Sequence, residues 1–327
     1  MKVLVTGGSG FLGSHVVEQL SSSGHAVRAL VRETSDTAFL RTLPNVELAD
    51  GAVDNKESVV RALDGVQAIV HVAGLVKARS PEEFMRVNAG GTETMLEAAL
   101  GVQGLKRFVM VSSIAVAGPS DSEGRAVAHD SPPRPVTHYG RSKLAAERAA
   151  LAKKDQLPIT IIRPPAIYGP RDREILAFFK AIKVGVLPLL GSAQNKLSMT
   201  YGADCAAACI RAIDADVPSG SVFYVDDGTV HTMAEMIMLA ESALGRRAWL
   251  RIPLPKRVVL TAARASELYG RATNRAVMLT RDKCNELFDQ WVCDSAYTQK
   301  TLGWTPKVPF SEGVKRTVAW YREAGWL

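Results

Sequence analysis

The feature that most constrains this chain is a rhythm in its first 160 or so residues, where short runs of Val, Ile and Leu alternate with helical patterns. Apolar runs at Lys2–Val5, Ala26–Val31, Val46–Leu48, Ala68–Val72 and Phe108–Val111 are interleaved with helical stretches at Phe11–Leu20, Ser58–Leu63 and Glu83–Leu100. Runs this short, with little polar alternation, suit strands covered on both faces. The predicted fold is therefore α/β, a doubly wound parallel sheet of the Rossmann kind. A helix from Tyr139 to about Lys154 and a strand at Ile159–Ile162 continue the pattern.

The alternation breaks at Pro164-Pro165. That break predicts a dinucleotide-binding domain over residues 1–165 and a smaller α+β substrate lobe over 166–327. A strand near Leu197–Thr200, a helix at about Asp204–Asp214 and a strand at Val222–Val225 are expected to return to the first sheet, so that about 197–228 rejoins it. The tail is expected to end in a helix from about Ser311 to Glu323. Pro255–Gly270 reads as an amphipathic helix, with Val258, Val259, Leu260, Ala262 and Ala263 beside Lys256, Arg257 and Arg264. Such a helix ordinarily packs on its own lobe with its charges solvated; a membrane surface or an apolar substrate are the alternatives.

Between the first strand and first helix lies Thr6-Gly7-Gly8-Ser9-Gly10-Phe11-Leu12-Gly13. In a βα turn, Gly7 permits the tight bend, Gly10 lets backbone approach a pyrophosphate, and Gly13 allows the helix to pack close. The helix start, at Phe11 and Leu12, adds free N–H donors and a partial positive charge. The second strand ends Val31-Arg32, where an NAD enzyme usually carries a carboxylate for the ribose. Arg32 suits a 2′-phosphate, so NADP is expected, with NAD left open because Glu33 is placed to occupy Arg32.

Val111-Ser112-Ser113 closes the fifth strand, and Tyr139-Gly140-Arg141-Ser142-Lys143 follows 26 residues after Ser113. Tyr139 and Lys143 stand four apart and share one helix face. A phenol near pKa 10 needs roughly 4 kcal/mol of differential stabilisation to act near neutrality. Lys143 and an oxidised nicotinamide would provide it, while Ser113 holds the substrate oxygen.

These residues resemble the extended short-chain dehydrogenase/reductase family, also described as NAD-dependent epimerases/dehydratases, over nearly the whole chain. His71-Val72-Ala73-Gly74 is similar to the family's segment along the cofactor. Val87-Asn88-Ala89-Gly90-Gly91-Thr92 is similar to the helix whose asparagine, here Asn88, supports the catalytic group. Ile162-Arg163-Pro164-Pro165-Ala166-Ile167-Tyr168-Gly169-Pro170 resembles the crossing into the substrate lobe, placing Pro165 at the cofactor, and Trp291-Val292-Cys293-Asp294 with Leu302-Gly303-Trp304 resembles a C-terminal signature. Within the family the chain looks most like the dihydroflavonol reductase and 3β-hydroxysteroid dehydrogenase relatives, which implies interconversion of a ketone and a secondary alcohol. Two positions depart from the pattern. Gly51-Ala52-Val53 lacks the Asp that relatives carry for adenine, leaving backbone contacts, and Ala117 replaces a usual tyrosine, which is expected to widen the pocket beside Ser113.

The net charge of +7 is expected to act as a field attracting anionic small molecules rather than nucleic acid. Cys205, Cys209, Cys284 and Cys293 show no metal or disulfide spacing and read as buried apolar residues in a reducing compartment. No metal is expected, and His129 and His138 read as exposed loop histidines. With the first strand at Lys2 and no apolar run of spanning length, neither leader nor membrane insertion is expected; the default is a cytoplasmic enzyme on a hydrophobic small molecule. The resemblance implies a homodimer through the helices at about 83–100 and 139–154. Two other functions remain: a nucleotide-sugar epimerase or dehydratase, with Arg246, Arg247 and Arg251 available for a diphosphate, and a non-enzymatic dinucleotide sensor.

Overall fold

Seven strands, all parallel, form the central sheet of the computed structural model, which describes residues 1–327. They are β1 (Lys2–Thr6), β2 (Ala26–Val31), β3 (Val46–Asp50), β4 (Ala68–His71), β5 (Arg107–Val111), β6 (Ile159–Arg163) and, from much later in the chain, β10 (Ser221–Tyr224). Their order is β10-β6-β5-β4-β1-β2-β3. The chain winds outward from β1 to β3 and then outward again from β4, so the carboxyl ends of β1 and β4 diverge at the topological switch point, where such sheets bind ligands.

Alternate residues of one strand feed two cores. Val3 and Val5 face helices α1 (Phe11–Ser22) and α7 (Gly202–Asp214), while Leu4 faces α2 (Lys56–Ala62), α4 (Gly91–Ala99) and α5 (His138–Leu151). Both faces are covered, which is why the strands read as unbroken apolar runs. On α7, Cys205, Ala206, Ala208, Cys209 and Ala212 are fully buried, and their small side chains let the helix lie close to α1. All four cysteines are buried free thiols.

The predicted helix at 83–100 is not one regular helix. A short α3 (Pro81–Phe84), N-capped by Ser80, runs into a π-helical turn at Met85–Gly90 before α4 begins. Propensity does not signal this turn; the hydrogen bonds of Asn88 described below hold it.

Beyond Pro165, Ala166–Tyr168 (β7) leaves the sheet. Helix α6 (Leu176–Val184), β8 (Val186–Leu190), β9 (Lys196–Tyr201), β11 (Val230–Thr232), α8 (Met233–Leu244), β12 (Leu250–Leu254), α9 (Lys256–Thr273), α10 (Arg281–Phe288), α11 (Ala296–Leu302) and α12 (Phe310–Glu323) follow, with α7 and β10 between β9 and β11. Of the segment expected to return to the first sheet, α7 packs on it and β10 pairs with β6. The strand at 197–200 does not. It lies in a separate three-stranded sheet, β11-β9-β7, because β7 pairs with it in parallel and the edge beside β6 is taken by β10. Aromatic packing of Tyr168, Phe179, Tyr201, Phe310 and Tyr321 fills the core beneath that sheet.

Candidate active site

The glycine turn sits at the switch point. Gly7 has φ +70°, and a Cβ there would lie 2.8 Å from the backbone nitrogen of Ala73 beyond β4. A Cβ on Gly13 would come within 2.0 Å of the Gly7 carbonyl oxygen, so nothing larger lets α1 start this close to β1. At Gly10 the only near neighbour is that same oxygen, at 3.2 Å, and the remaining side is open. No side chain caps α1 and no acid stands in its first turn. The N–H groups of Phe11, Leu12 and Gly13 precede the first bond of the helix, Ser14 N–H to Gly10 O, and point their partial positive charge out of the turn.

Arg32 follows β2 on the surface, its backbone N–H donating to Ser35 Oγ at 3.1 Å. Its guanidinium joins none of the ion pairs of the molecule, Glu33 included. Around Gly51 the backbone is largely committed: Ala52 N–H donates to Ser58 Oγ at 3.2 Å, and Val53 is buried with Cγ2 packed where a Cβ on Gly91 would be.

The catalytic candidates converge from three elements. Ser113 leaves the end of β5 and caps a short turn, its Oγ accepting the Ala115 N–H at 3.1 Å. Tyr139 is in the first turn of α5, whose start is fixed by Thr137 Oγ1 accepting the Gly140 N–H at 3.0 Å. Burial pushes the Tyr139 phenol up to about 12; a hydrogen bond with Ser113 works against this and the Glu286 carboxylate adds to it. The phenol is therefore protonated at neutral pH. Phe84 stands beside it, ring centres 6.1 Å apart.

One turn further along α5, Lys143 is buried, with Nζ donating to Val111 O at 3.0 Å. Burial pulls its pKa down to about 8, and Glu147, a further turn on, holds it up. Tyr139, Lys143 and Glu147 thus form one stripe of the helix. Glu147 in turn accepts a two-pronged bond from Arg163 at the end of β6, at 2.8 and 2.6 Å, and Arg163 reaches Tyr224 Oη at 3.0 Å. Burial alone would lower the guanidinium's pKa, and the Glu147 fork more than reverses that.

Asn88, in the π turn, uses both ends of its amide: Oδ1 accepts the Leu75 N–H at 2.7 Å, and Nδ2 donates to Leu75 O and to Ser142 Oγ. It also ends a buried relay. Thr6 Oγ1 accepts the Ala73 N–H and is left to donate to His71 Nδ1 at 2.8 Å. His71 Nε2–H then donates to Thr92 Oγ1 at 3.0 Å, and Thr92 donates to Asn88 O at 2.7 Å. This direction fixes one neutral tautomer. Burial, with the nearby Lys143 charge, lowers the His71 pKa to about 3 and keeps it neutral.

The groove between these groups fits a dinucleotide. A Cβ on Gly74 would be 3.0 Å from Lys143 Nζ and 3.1 Å from Asn88 Oδ1, so the backbone there stays low and open. Ser112 is 3% exposed and its Oγ has no protein partner. Val72 N–H is bonded to Thr6 O, and Pro165 is buried where the chain leaves β6.

The structure thus brings Ser113, Tyr139, Lys143, Asn88, Gly7, Gly10, Gly13, Gly74 and Ser112 to one side of the sheet. It turns Val53 into packing against α4. Ala117 is buried in a cluster with Ile114, Tyr224, Trp291 and Cys293, so its methyl faces packing rather than open space. His129 stacks on Tyr297 at 4.3 Å, and the His138 ring stands 3.8 Å from Asp282. Sequence reasoning missed Glu147, and it placed His71, Thr92 and Arg163 only inside family-like segments, without a role. The four-residue spacing of Glu147 from Lys143 was the one local signal that could have raised Glu147.

A parallel sheet with a glycine turn at its switch point and Ser, Tyr and Lys converging beyond it defines a dinucleotide-dependent oxidoreductase. Residues 3–225 match the model of the NAD dependent epimerase/dehydratase family, and the chain belongs to that family as an NAD(P)-dependent oxidoreductase. It is 35% identical to a ceramide reductase of Caulobacter vibrioides over 99% of this chain and 96% of that one. It is 28% identical to a UDP-glucose 4-epimerase of Vibrio cholerae over 98% and 96%. A UDP-glucuronic acid 4-epimerase of Bacillus cereus with bound NAD has the same fold, with TM-score 0.80 at 21% identity, covering 99% of this chain and all of that one.

Proposed function

We propose that the protein is an NADP-dependent reductase that converts a ketone on a hydrophobic small molecule to a secondary alcohol. The observation that carries this reading is the protonated Tyr139 phenol, held beside Ser113 and Phe84 and above the Lys143 cation. A reduced nicotinamide, when bound, supplies the hydride. Ser113 Oγ orients the carbonyl oxygen by a hydrogen bond, and Tyr139 Oη delivers the proton that completes the hydroxyl. Lys143 lowers the cost of the phenolate left behind. Asn88 positions α5 through Ser142, and the ring of Phe84 gives the substrate side an apolar wall. The phenol is then reprotonated from solvent.

NADP is favoured by Arg32, whose guanidinium has no carboxylate partner and follows β2 where a 2′-phosphate lies in this fold. The resemblance to a ceramide reductase supports a lipid-like substrate. An epimerase reading draws on the Vibrio cholerae relative and on Arg246, Arg247 and Arg251, but Glu241 holds Arg251 by two bonds, at 2.8 and 2.9 Å. A homodimer through α4 and α5 belongs to the same reading, and sedimentation velocity tests it.

Calorimetric titration with NADP⁺ and NAD⁺ tests the cofactor. NADP⁺ should bind about ten-fold or more tightly, a difference of roughly 1.4 kcal/mol, and Arg32→Ala should erase it. Equal affinities would make Arg32 a surface residue and favour the epimerase reading. Tyr139→Phe should abolish ketone reduction while leaving NADPH affinity unchanged; undiminished reduction would reject the proton-transfer role.

A further inference from the structure

Residues 246–275 carry eight arginines and lysines against one acid, Glu267. That net +7 equals the charge of the entire chain, so all the rest of the protein balances to zero. Glu267 is itself taken, accepting both the backbone N–H and the guanidinium of Arg281. The same thirty residues hold six of the sixteen large apolar side chains left exposed on the protein: Trp249, Leu250, Ile252, Val258, Leu268 and Tyr269. Excess charge and excess wet apolar surface therefore occupy one segment.

Helix α9 organises both. Its inner side, with Val259, Ala263 and Gly270 buried, packs through a small cluster with Leu190, Leu254, Cys284 and Phe288. Its outer side is not the polar face of an ordinary surface helix. Val258, Ala265, Tyr269 and Ala272 recur at helical spacing as an exposed apolar stripe, and Leu268, 65% exposed, lies at its edge. Arg257, Arg264 and Arg271 run alongside at seven-residue intervals, all exposed. Leu250 and Ile252 share a face of β12 with Leu254, which packs on α9, so the apolar surface leads into the helix.

We propose that this face docks on the surface of an anionic lipid bilayer. There the apolar stripe sinks to the level of the acyl chains, the arginine line meets lipid phosphates, and the self-repulsion of the segment is relieved. No helix of the protein is long and apolar enough to cross a membrane, so the attachment is in the interfacial plane. A polynucleotide would neutralise the arginines but leave Val258 and Leu268 in water, and it is the less complementary partner. The position has a consequence for the catalytic cleft. Helix α10, packed against α9 through Cys284, bears the Glu286 charge that acts on Tyr139, and its Asp282 accepts the His138 N–H at 2.7 Å where α5 begins. The docked surface thus lies on the helix packed behind α10, whose Asp282 and Glu286 stand at the catalytic cleft.

Vesicle sedimentation tests this without any substrate. Wild-type protein should pellet with phosphatidylcholine vesicles containing about 30% phosphatidylglycerol at roughly 0.1 M salt, and release as salt is raised. It should not pellet with phosphatidylcholine alone. Arg264→Gln with Arg271→Gln should weaken partition on the order of 20-fold, each arginine being worth roughly five-fold. Leu268→Ser with Tyr269→Ser should weaken it by about ten-fold or more. All four side chains are exposed, so thermal midpoint and NADPH affinity should not change in either variant. Equal partition onto both kinds of vesicle, no partition, or undiminished binding by the variants would overturn the proposal. Salt-sensitive binding of duplex DNA without vesicle binding would give the face to a polyanion, and a dimer lost in Leu268→Ser/Tyr269→Ser without vesicle binding would give it to a second copy.

Discussion

Glu147→Gln separates the electrostatics of the site from its shape, since the amide fills the same space. Glu147 is 1% exposed, bonded twice to Arg163, and lies one helical turn from Lys143. A unit charge about 6 Å away at an effective dielectric near 20 is worth roughly 2–3 kcal/mol, or about two pKa units. Lys143, already down at about 8, should therefore fall below neutrality once the carboxylate is gone. Burial costs the ammonium, so losing its one supporting charge can only move it further in that direction. Lys143 reaches cofactor hydroxyls best as a cation, and NADPH affinity should decline above about pH 8 in the wild type and some one to two units lower in the variant. Fluorescence titration of NADPH between about pH 6 and 9.5 reads this directly. Stranding Arg163 should also cost about 3–5 kcal/mol of stability, measured by urea unfolding, with recovery in part by Glu147→Asp. Superimposable pH profiles for wild type and variant would show that Glu147 does not set the charge of Lys143.

Two further outcomes follow from the glycine turn and the buried histidines. Gly13→Ala should fold poorly, since its methyl would stand 2.0 Å from Gly7 O, whereas Gly10→Ala should keep its thermal midpoint and lose NADP⁺ affinity, because only the ligand side is filled. A fully stable Gly13→Ala that binds NADP⁺ would contradict the packing argument. His15 and His71 are both lowered to about 3, His15 by burial and by Arg171, while unfolded histidine titrates near 6.5. The unfolded chain takes up the protons first, so stability is full above about pH 6.5 and is lost as pH falls toward 3. At pH 5 each should cost about 2 kcal/mol. Urea midpoints that stay flat from about pH 7 to 5 would mean that neither ring is held neutral.

Much of the sheet was legible because parallel strands covered on both faces have no polar alternation to confuse. Ala26–Val31 was read to the residue, and β1, β5 and β6 to within one. The glycine turn and the Tyr139, Lys143 pair were legible because their chemistry needs fixed local spacing. The strand at 196–201 was misplaced because strand partners are chosen by tertiary pairing: nothing local tells Lys196–Tyr201 to join β7 rather than β6. The Thr6–His71–Thr92 relay was invisible for a similar reason, being assembled from three elements up to 86 residues apart. Glu147 looked like an ordinary helix glutamate; only the arrival of Arg163 from β6 makes it a buried charge.

The π turn at Met85–Gly90 carries a consequence for how this enzyme could be stabilised. A wide turn interrupts the regular ladder of a helix, and the obvious engineering move is to substitute strong helix formers and make the helix regular. Because the wide turn takes up one residue more than a regular one, regularising it with every residue kept would rotate everything before it by about 100° relative to everything after it. Phe84, beside Tyr139, lies before the turn, and Thr92, beneath His71, lies after it. A single regular helix could hold one of them in place but not both. The irregular turn lets a continuous stretch of chain serve as wall on one side of the cleft and as wiring on the other, and a straightened helix would trade that double service for rigidity.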